Sequence, residues 1–223
     1  MNGGRFERQL PLFGEDGQNK IMNATVGVAG CGGLGVTLVT MLAEAGVSHF
    51  ILADPGYPEI EDISTQFIYA MSDPRPKAQT TAQWITAINP LAEIEVHCEP
   101  FSKETESMFG CCDVIADCIE DIEGSLLLAD YACRSGKTLV HGRACGLEGI
   151  VAVAAPENAS GLKRALEEAR GHDEQPSVGA AVSAVASLEA LEVLKIVSGI
   201  GTENVGLIVS LDMRAMTVEK TGL

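Results

Sequence analysis

The stretch Val26-Gly27-Val28-Ala29-Gly30-Cys31-Gly32-Gly33-Leu34-Gly35 decides the reading of this chain. Apolar, β-favouring residues lead into a glycine-rich turn, and an Ala/Leu/Val-rich helical run then continues unbroken to Gly46. His49-Phe50-Ile51-Leu52-Ala53-Asp54 follows as a second strand ending in a carboxylate. This is a strand–turn–helix–strand unit suited to a nucleotide. Gly30 permits the tight turn, Gly32 lets backbone N–H groups reach a phosphate, and Gly35 lets the helix pack against the strand. Gly33 and Leu34 complete the turn, and Asp54 stands where a carboxylate accepts hydrogen bonds from a ribose. Taken alone, the fingerprint also fits an NAD-dependent oxidoreductase.

Working outward, apolar strand runs alternate with helical periodicity. Strands are expected near 25–30, 48–54, 93–98, 112–118, 137–141 and 148–154, with helices near 32–46, 74–89, 102–109 and 122–135. That alternation predicts an α/β fold, a Rossmann-like doubly wound and mostly parallel sheet. Ligands bind such sheets beyond the strand C-termini, which brings together residues 30–35, Asp54 and residues 117–121. After Ala155 the pattern changes to a turn, a short charged helix over 161–170, an exposed loop over 171–176 and a long helix near 178–197. The tail, with strands at 205–212 and 216–220, reads as a C-terminal antiparallel hairpin closing the sheet. A single nucleotide-binding domain over 1–223 is expected, with an N-terminal helical arm at 1–22 and a crossover region at 156–177; 223 residues leave no room for a second substrate domain of similar size.

Thirty-one acids against 15 Lys and Arg give a net charge of −16, which disfavours nucleic acid and anionic membranes as partners. The apolar helix near 178–198 carries Glu189, Glu192 and Lys195, so no membrane span is expected, and the polar opening points to a cytoplasmic protein. The seven cysteines are odd in number and several fall in strand-like runs, which reads as free thiols in a reducing compartment. No C-x-x-C occurs, so zinc is not expected.

The ordered motifs resemble the E1-like adenylyltransferase superfamily, the thiamine and molybdopterin sulfur-carrier activators and the ubiquitin-activating domains. The resemblance rests on Arg5-Phe6-Glu7-Arg8-Gln9, residues 30–35, Ala45-Gly46-Val47, Asp54, Gln66, Pro76-Lys77, Ile88-Asn89-Pro90, Asp117-Cys118 and the late helix Leu188-Glu189-Ala190-Leu191-Glu192-Val193-Leu194-Lys195. It covers nearly the whole chain. It implies ATP and Mg2+ as cofactors and the joining of AMP to a carboxylate with release of pyrophosphate. The carboxylate would be a small-molecule cofactor precursor or the C-terminus of a β-grasp carrier protein. It further implies that Lys77 contacts phosphates, that Asp54 and Gln66 belong to the nucleotide site, and that Arg8 reaches the partner's site in a homodimer.

Several positions depart from the family pattern. Asp62 and Thr65 stand where an Asn and a phosphate-contacting Arg are usual, and Ser125 stands where a helical Arg is usual. Glu120 and Asp121 replace the family's Asp-Asn. Two adjacent acids at a strand end can hold magnesium, yet they also cap helices. Lys77 after Pro76 is either a phosphate ligand or a helix-start surface lysine. Cys145 beside Arg143 is either a core thiol or a reactive one. No cysteine follows Cys145, so covalent thioester transfer through the crossover region is not expected. Besides adenylylation, two alternatives remain: a degenerate binding or scaffold member with little ATP turnover, and the oxidoreductase.

Overall fold

A computed structural model describes residues 4–70, 73–170 and 177–223. The expected exposed loop at 171–176 lies outside the described residues. In chain order the elements are α1 (Leu10–Asn23), β1 (Thr25–Ala29), α2 (Gly33–Ala45), β2 (His49–Ala53), α3 (Lys77–Ile88), β3 (Glu93–His97), β4 (Val114–Asp117), α4 (Ile122–Ser135), β5 (Thr138–Cys145), β6 (Glu148–Ala154), α5 (Ala159–Glu168), α6 (Gly179–Ser198), β7 (Leu207–Asp212) and β8 (Thr217–Gly222). The eight strands form one sheet in the order β3-β2-β1-β4-β5-β6-β7-β8. Pairing is parallel from β3 through β5 and antiparallel from β5 through β8.

The sheet sits between two helical layers. Val26, Val28, Val114 and Val140 face a core with α1, α2, α3 and α6 residues such as Ile21, Leu38, Ile85 and Val193. Ala29, Ile51, Ile115 and Leu139 face a second core with Leu128 of α4 and Leu162 of α5. The alternation follows from the period-2 pleat. Central strands buried on both faces read as continuous apolar runs, which is why they were legible. Chain order reverses between β1 and β4: the chain leaves β1 for β2 and β3 on one side, then returns to β4 and β5 on the other.

Several elements differ from the sequence expectation. Helix α3 starts at Lys77, because Pro76 holds an extended ψ of 145° at its cap. The expected helix at 102–109 is one 3-10 turn, Glu106–Phe109; before it, the Thr105 hydroxyl accepts from Ser102 N and draws the backbone into a local turn instead. The short charged helix begins earlier, at Ala159. Strand β5 runs past His141 to Cys145, because its second half gains antiparallel partners on β6.

The motifs at the two ends of the first half of the chain meet at the C-terminus of α2. Gly46 caps that helix at φ +106°, and a Cβ there would lie 2.6 Å from the Phe6 ring. The terminal carbonyls of α2 have no helical donors, so side chains supply them. Arg5 Nη2 donates to Ala43 O at 2.8 Å, and Gln9 and Gln18 both donate to Ala45 O, at 2.7 and 3.0 Å. Asn89 Nδ2 donates to Val47 O at 2.9 Å, just beyond the cap.

Candidate functional site

At the opposite end of α2, the β1–α2 turn closes on the end of β4. A Cβ on Gly30 (φ +96°) would collide with the Cys118 carbonyl, and one on Gly35 with the Gly30 carbonyl. Both positions therefore require glycine for packing. Gly32 differs: the nearest atom to a Cβ there is Gln66 Nε2, at 4.0 Å, so the position faces open space. The N-terminus of α2, with its unpaired N–H groups and positive dipole end, opens onto that space. Tyr69 fixes the turn from behind, its hydroxyl donating to Cys31 O at 2.5 Å and lying 3.0 Å from Thr81 Oγ1.

The space is a cavity of about 560 Å³ over the C-terminal ends of β1, β2, β4 and β5. Gly30, Gly32, Gly33, Leu34, Asp54, Gln66, Lys77, Glu120 and Asp121 all line it, so the fold brings these sequence-derived candidates together. Gly35 lies outside the wall and serves the turn. Arg8 is exposed on the arm and does not line this chain's own cavity.

Asp54 is buried, and its two oxygens accept from Cys31 N at 2.6 Å and Gly56 N at 2.7 Å. Its carboxylate thus ties the glycine turn to the end of β2 while facing the cavity. The neighbouring Cys31 thiol is pushed well above its usual range by burial and by the Asp54 charge, which keeps it a neutral packing group. Lys77 Nζ lies 2.9 Å from Asp62 Oδ2, and Asp62 Oδ1 accepts from Gln66 Nε2 at 2.6 Å. Gln66 Oε1 is buried with no hydrogen-bond partner among the described residues.

Of the two readings offered by the sequence, Asp121 shows the helix cap. It caps α4, accepting from Glu123 N at 3.3 Å and Gly124 N at 2.9 Å, and it also lines the cavity beside Glu120. The loop that carries the pair is anchored from below. Asp117 is fully buried; its Oδ1 accepts from Ile119 N at 3.2 Å and its Oδ2 lies 2.8 Å from His141 Nδ1. On the other face of the sheet, Glu189 of α6 is fully buried against Gly142 and Cys118. Burial first, and then the Asp117 charge, raise its carboxyl well above the usual range, so it is held protonated.

Sequence reasoning did not place Phe101, Leu127 or Val182 at the site, yet all three line the cavity. Phe101 follows β3, and the rule that ligands sit beyond strand ends, applied to that strand as well, would have found it. Arg143 and Cys145 also line the wall, because β5 extends four residues beyond the expected strand end. Among the described residues, Lys77 and Arg143 are the only Lys or Arg side chains in the wall.

The ThiF family matches residues 6–222 of the chain. The chain is 30% identical to the heterocyst HesA protein of Trichormus variabilis, over 98% of this chain and 84% of that protein. It is 29% identical to the sulfur carrier protein ThiS adenylyltransferase of Escherichia coli, over 89% of this chain and 82% of that one. Among solved structures, Escherichia coli MccB with ATP superposes with a TM-score of 0.83 at 14% identity, covering 99% of this chain and 72% of MccB, a likeness of fold. A family match over nearly the full length, on a sheet whose glycine turn, Asp54 and Lys77 converge on one cavity, makes this chain a member of the ThiF family.

Proposed function

We propose that the cavity binds ATP and that the carboxylate it adenylylates is the C-terminus of a small protein or peptide. Adenylyltransferase activity on a carboxylate follows from the family and from relatives named for it. The peptide class is supported by what those relatives act on: ThiS in one case, and MccA in the solved complexes of MccB. The single observation that carries the reading is the convergence of the glycine turn, Asp54 and Lys77 on one cavity. An oxidoreductase reading rested on the glycine fingerprint and Asp54 alone and has no support in the family.

In the reaction, a carboxylate oxygen forms a bond to the α-phosphorus as the α–β bridging bond breaks and pyrophosphate leaves. Both reactants are anions, so the site must gather cations and fixed donors at the phosphates. The backbone N–H groups at the N-terminus of α2 supply donors that need no reorganisation. Lys77 contributes charge at the phosphate end, Asp54 accepts from the ribose, and the buried Gln66 Oε1 is available to a ligand donor. Magnesium fits the two cavity-facing carboxylates Glu120 and Asp121, since it favours one or two carboxylates plus phosphate oxygens. When bound it would neutralise phosphate charge. Arg8, exposed on the arm, would serve a second copy's cavity in a homodimer; a monomer in analytical ultracentrifugation at micromolar concentration would remove that role.

Exchange of labelled pyrophosphate into ATP tests the reading. A β-grasp carrier or peptide with a free C-terminus is expected to support exchange, and its C-terminal amide is not. Exchange driven only by small acids would replace the peptide by a small-molecule substrate. No exchange with either, together with no ATP binding, would overturn adenylylation and leave a binding protein.

A further inference from the structure

The phosphate end of the cavity holds its own counterion. Lys77 Nζ and Asp62 Oδ2 are 2.9 Å apart, and the two side chains are only 15% and 13% exposed. Asp62 is not a mobile surface carboxylate. It stands in the 3-10 turn Glu61–Ser64, accepts from Glu59 N at 2.7 Å, and holds Gln66 Nε2 at 2.6 Å. Lys77 and Gln66 line the cavity, so the carboxylate sits directly behind two groups that face the ligand. Thr65, beside Gln66 in the same wall, carries no charge.

We infer that Asp62 is a built-in counterion that keeps Lys77 neutralised until a triphosphate competes for it, and so sets the chain's ATP affinity below what the lysine alone would give. The inference rests on ATP being the ligand of this cavity. A triphosphate approaching Lys77 must either displace Asp62 or share one ammonium with a second anion. Both alternatives cost free energy, and the low exposure of the pair limits the screening that would soften it. Removing the negative charge while keeping the side chain's shape relieves that cost.

The test is Asp62→Asn, read as ATP KM in pyrophosphate exchange and as Mg·ATP binding by calorimetry without carboxylate. Asp62→Asn is expected to lower KM and the dissociation constant about three- to tenfold, an advantage that shrinks as salt rises. A merely structural role for Asp62 gives the opposite sign, weaker ATP binding with a lower melting temperature. Unchanged or weaker binding in folded Asp62→Asn overturns the inference. Should Asp62→Asn fail to fold, Asp62→Ser takes its place with the same expectations. The two readouts separate the readings. Tighter binding without exchange upholds the counterion and sinks adenylylation, whereas exchange without tighter binding does the reverse.

Discussion

The two ends of α2 are built from similar materials and do different work. At its C-terminus, Gly46 takes a left-handed cap, and the helix carbonyls are met by Arg5, Gln9 and Gln18 side chains. At its N-terminus, Gly32 leads the helix with no side chain capping it, and the N–H groups face a cavity. One end has its orphan backbone groups satisfied by protein, and the other leaves them for a ligand. The lesson is that a matched glycine motif does not by itself locate chemistry. Ala45-Gly46-Val47, Arg5, Phe6 and Gln9 are as much a part of the family resemblance as the glycine turn, yet they knit the arm to α2.

The largest effect that would break this contrast is at Lys77. Lys77→Met removes one of two cationic side chains in the cavity wall. It is expected to lower pyrophosphate exchange about 100-fold while the melting temperature moves by less than about 3 °C. A large fall in melting temperature with unaltered exchange would make Lys77 part of the clamp rather than of the site.

Gly46→Ala should give the mirror result. It forces a left-handed φ on an L residue and drives a Cβ into Phe6. A loss of about 2–3 kcal/mol is expected, or about 5–10 °C in melting temperature, with kcat/KM measured well below the transition within about threefold of wild type. Loss of exchange in a variant that is fully folded at the assay temperature would mean that the two ends of α2 are coupled.

How much of this was legible before the structure divides along the same line. The glycine turn, the carboxylate ending β2 and the doubly wound sheet were all readable, because short-range chemistry and apolar runs write them locally. The contacts that set the roles were not. Arg5 meets Ala43 across 38 residues and Asn89 across 84, and topology alone brings them together. The Asp62–Lys77 pair depends likewise on the chain between β2 and α3 returning over the glycine turn. Met108 and Phe109 are both buried yet belong to a single 3-10 turn, because Ser102 and Thr105 spend their polar groups on local turns. Asp121 could not be assigned to helix cap or cavity wall from spacing, since its carboxylate serves both.

Glu189 sharpens the contrast from beneath the crevice. Its carboxyl keeps a proton in the folded chain at pH values where the unfolded chain, with an ordinary value of 4.5, has lost it. The folded state therefore binds more protons, and stability falls as pH rises above the ordinary carboxylate range. Glu189→Gln removes that dependence. The variant is expected to be more stable than wild type by about 1–2 kcal/mol at pH 8, or about 2–6 °C, with the difference closing as pH approaches 4.5. Thermal melts across that range decide it; a difference that is the same at pH 5 and pH 8 would mean that Glu189 titrates normally.

The smallest expected effect tests the ligand-facing end most directly. Gly32 has an ordinary φ of −78°, and a Cβ there meets nothing nearer than Gln66 Nε2 at 4.0 Å. Protein packing therefore does not require glycine at this position, in contrast to Gly46. Alanine at this helix cap costs under about 1 kcal/mol, so the melting temperature of Gly32→Ala should fall by no more than about 3 °C. A phosphate seated on the N–H groups of α2 has no such tolerance, because the backbone must approach it closely and a methyl group stands between them. ATP KM is expected to rise about three- to tenfold, with the melting temperature nearly unmoved. An unchanged KM would place the phosphates away from this turn and leave Gly32 as no more than a loop residue.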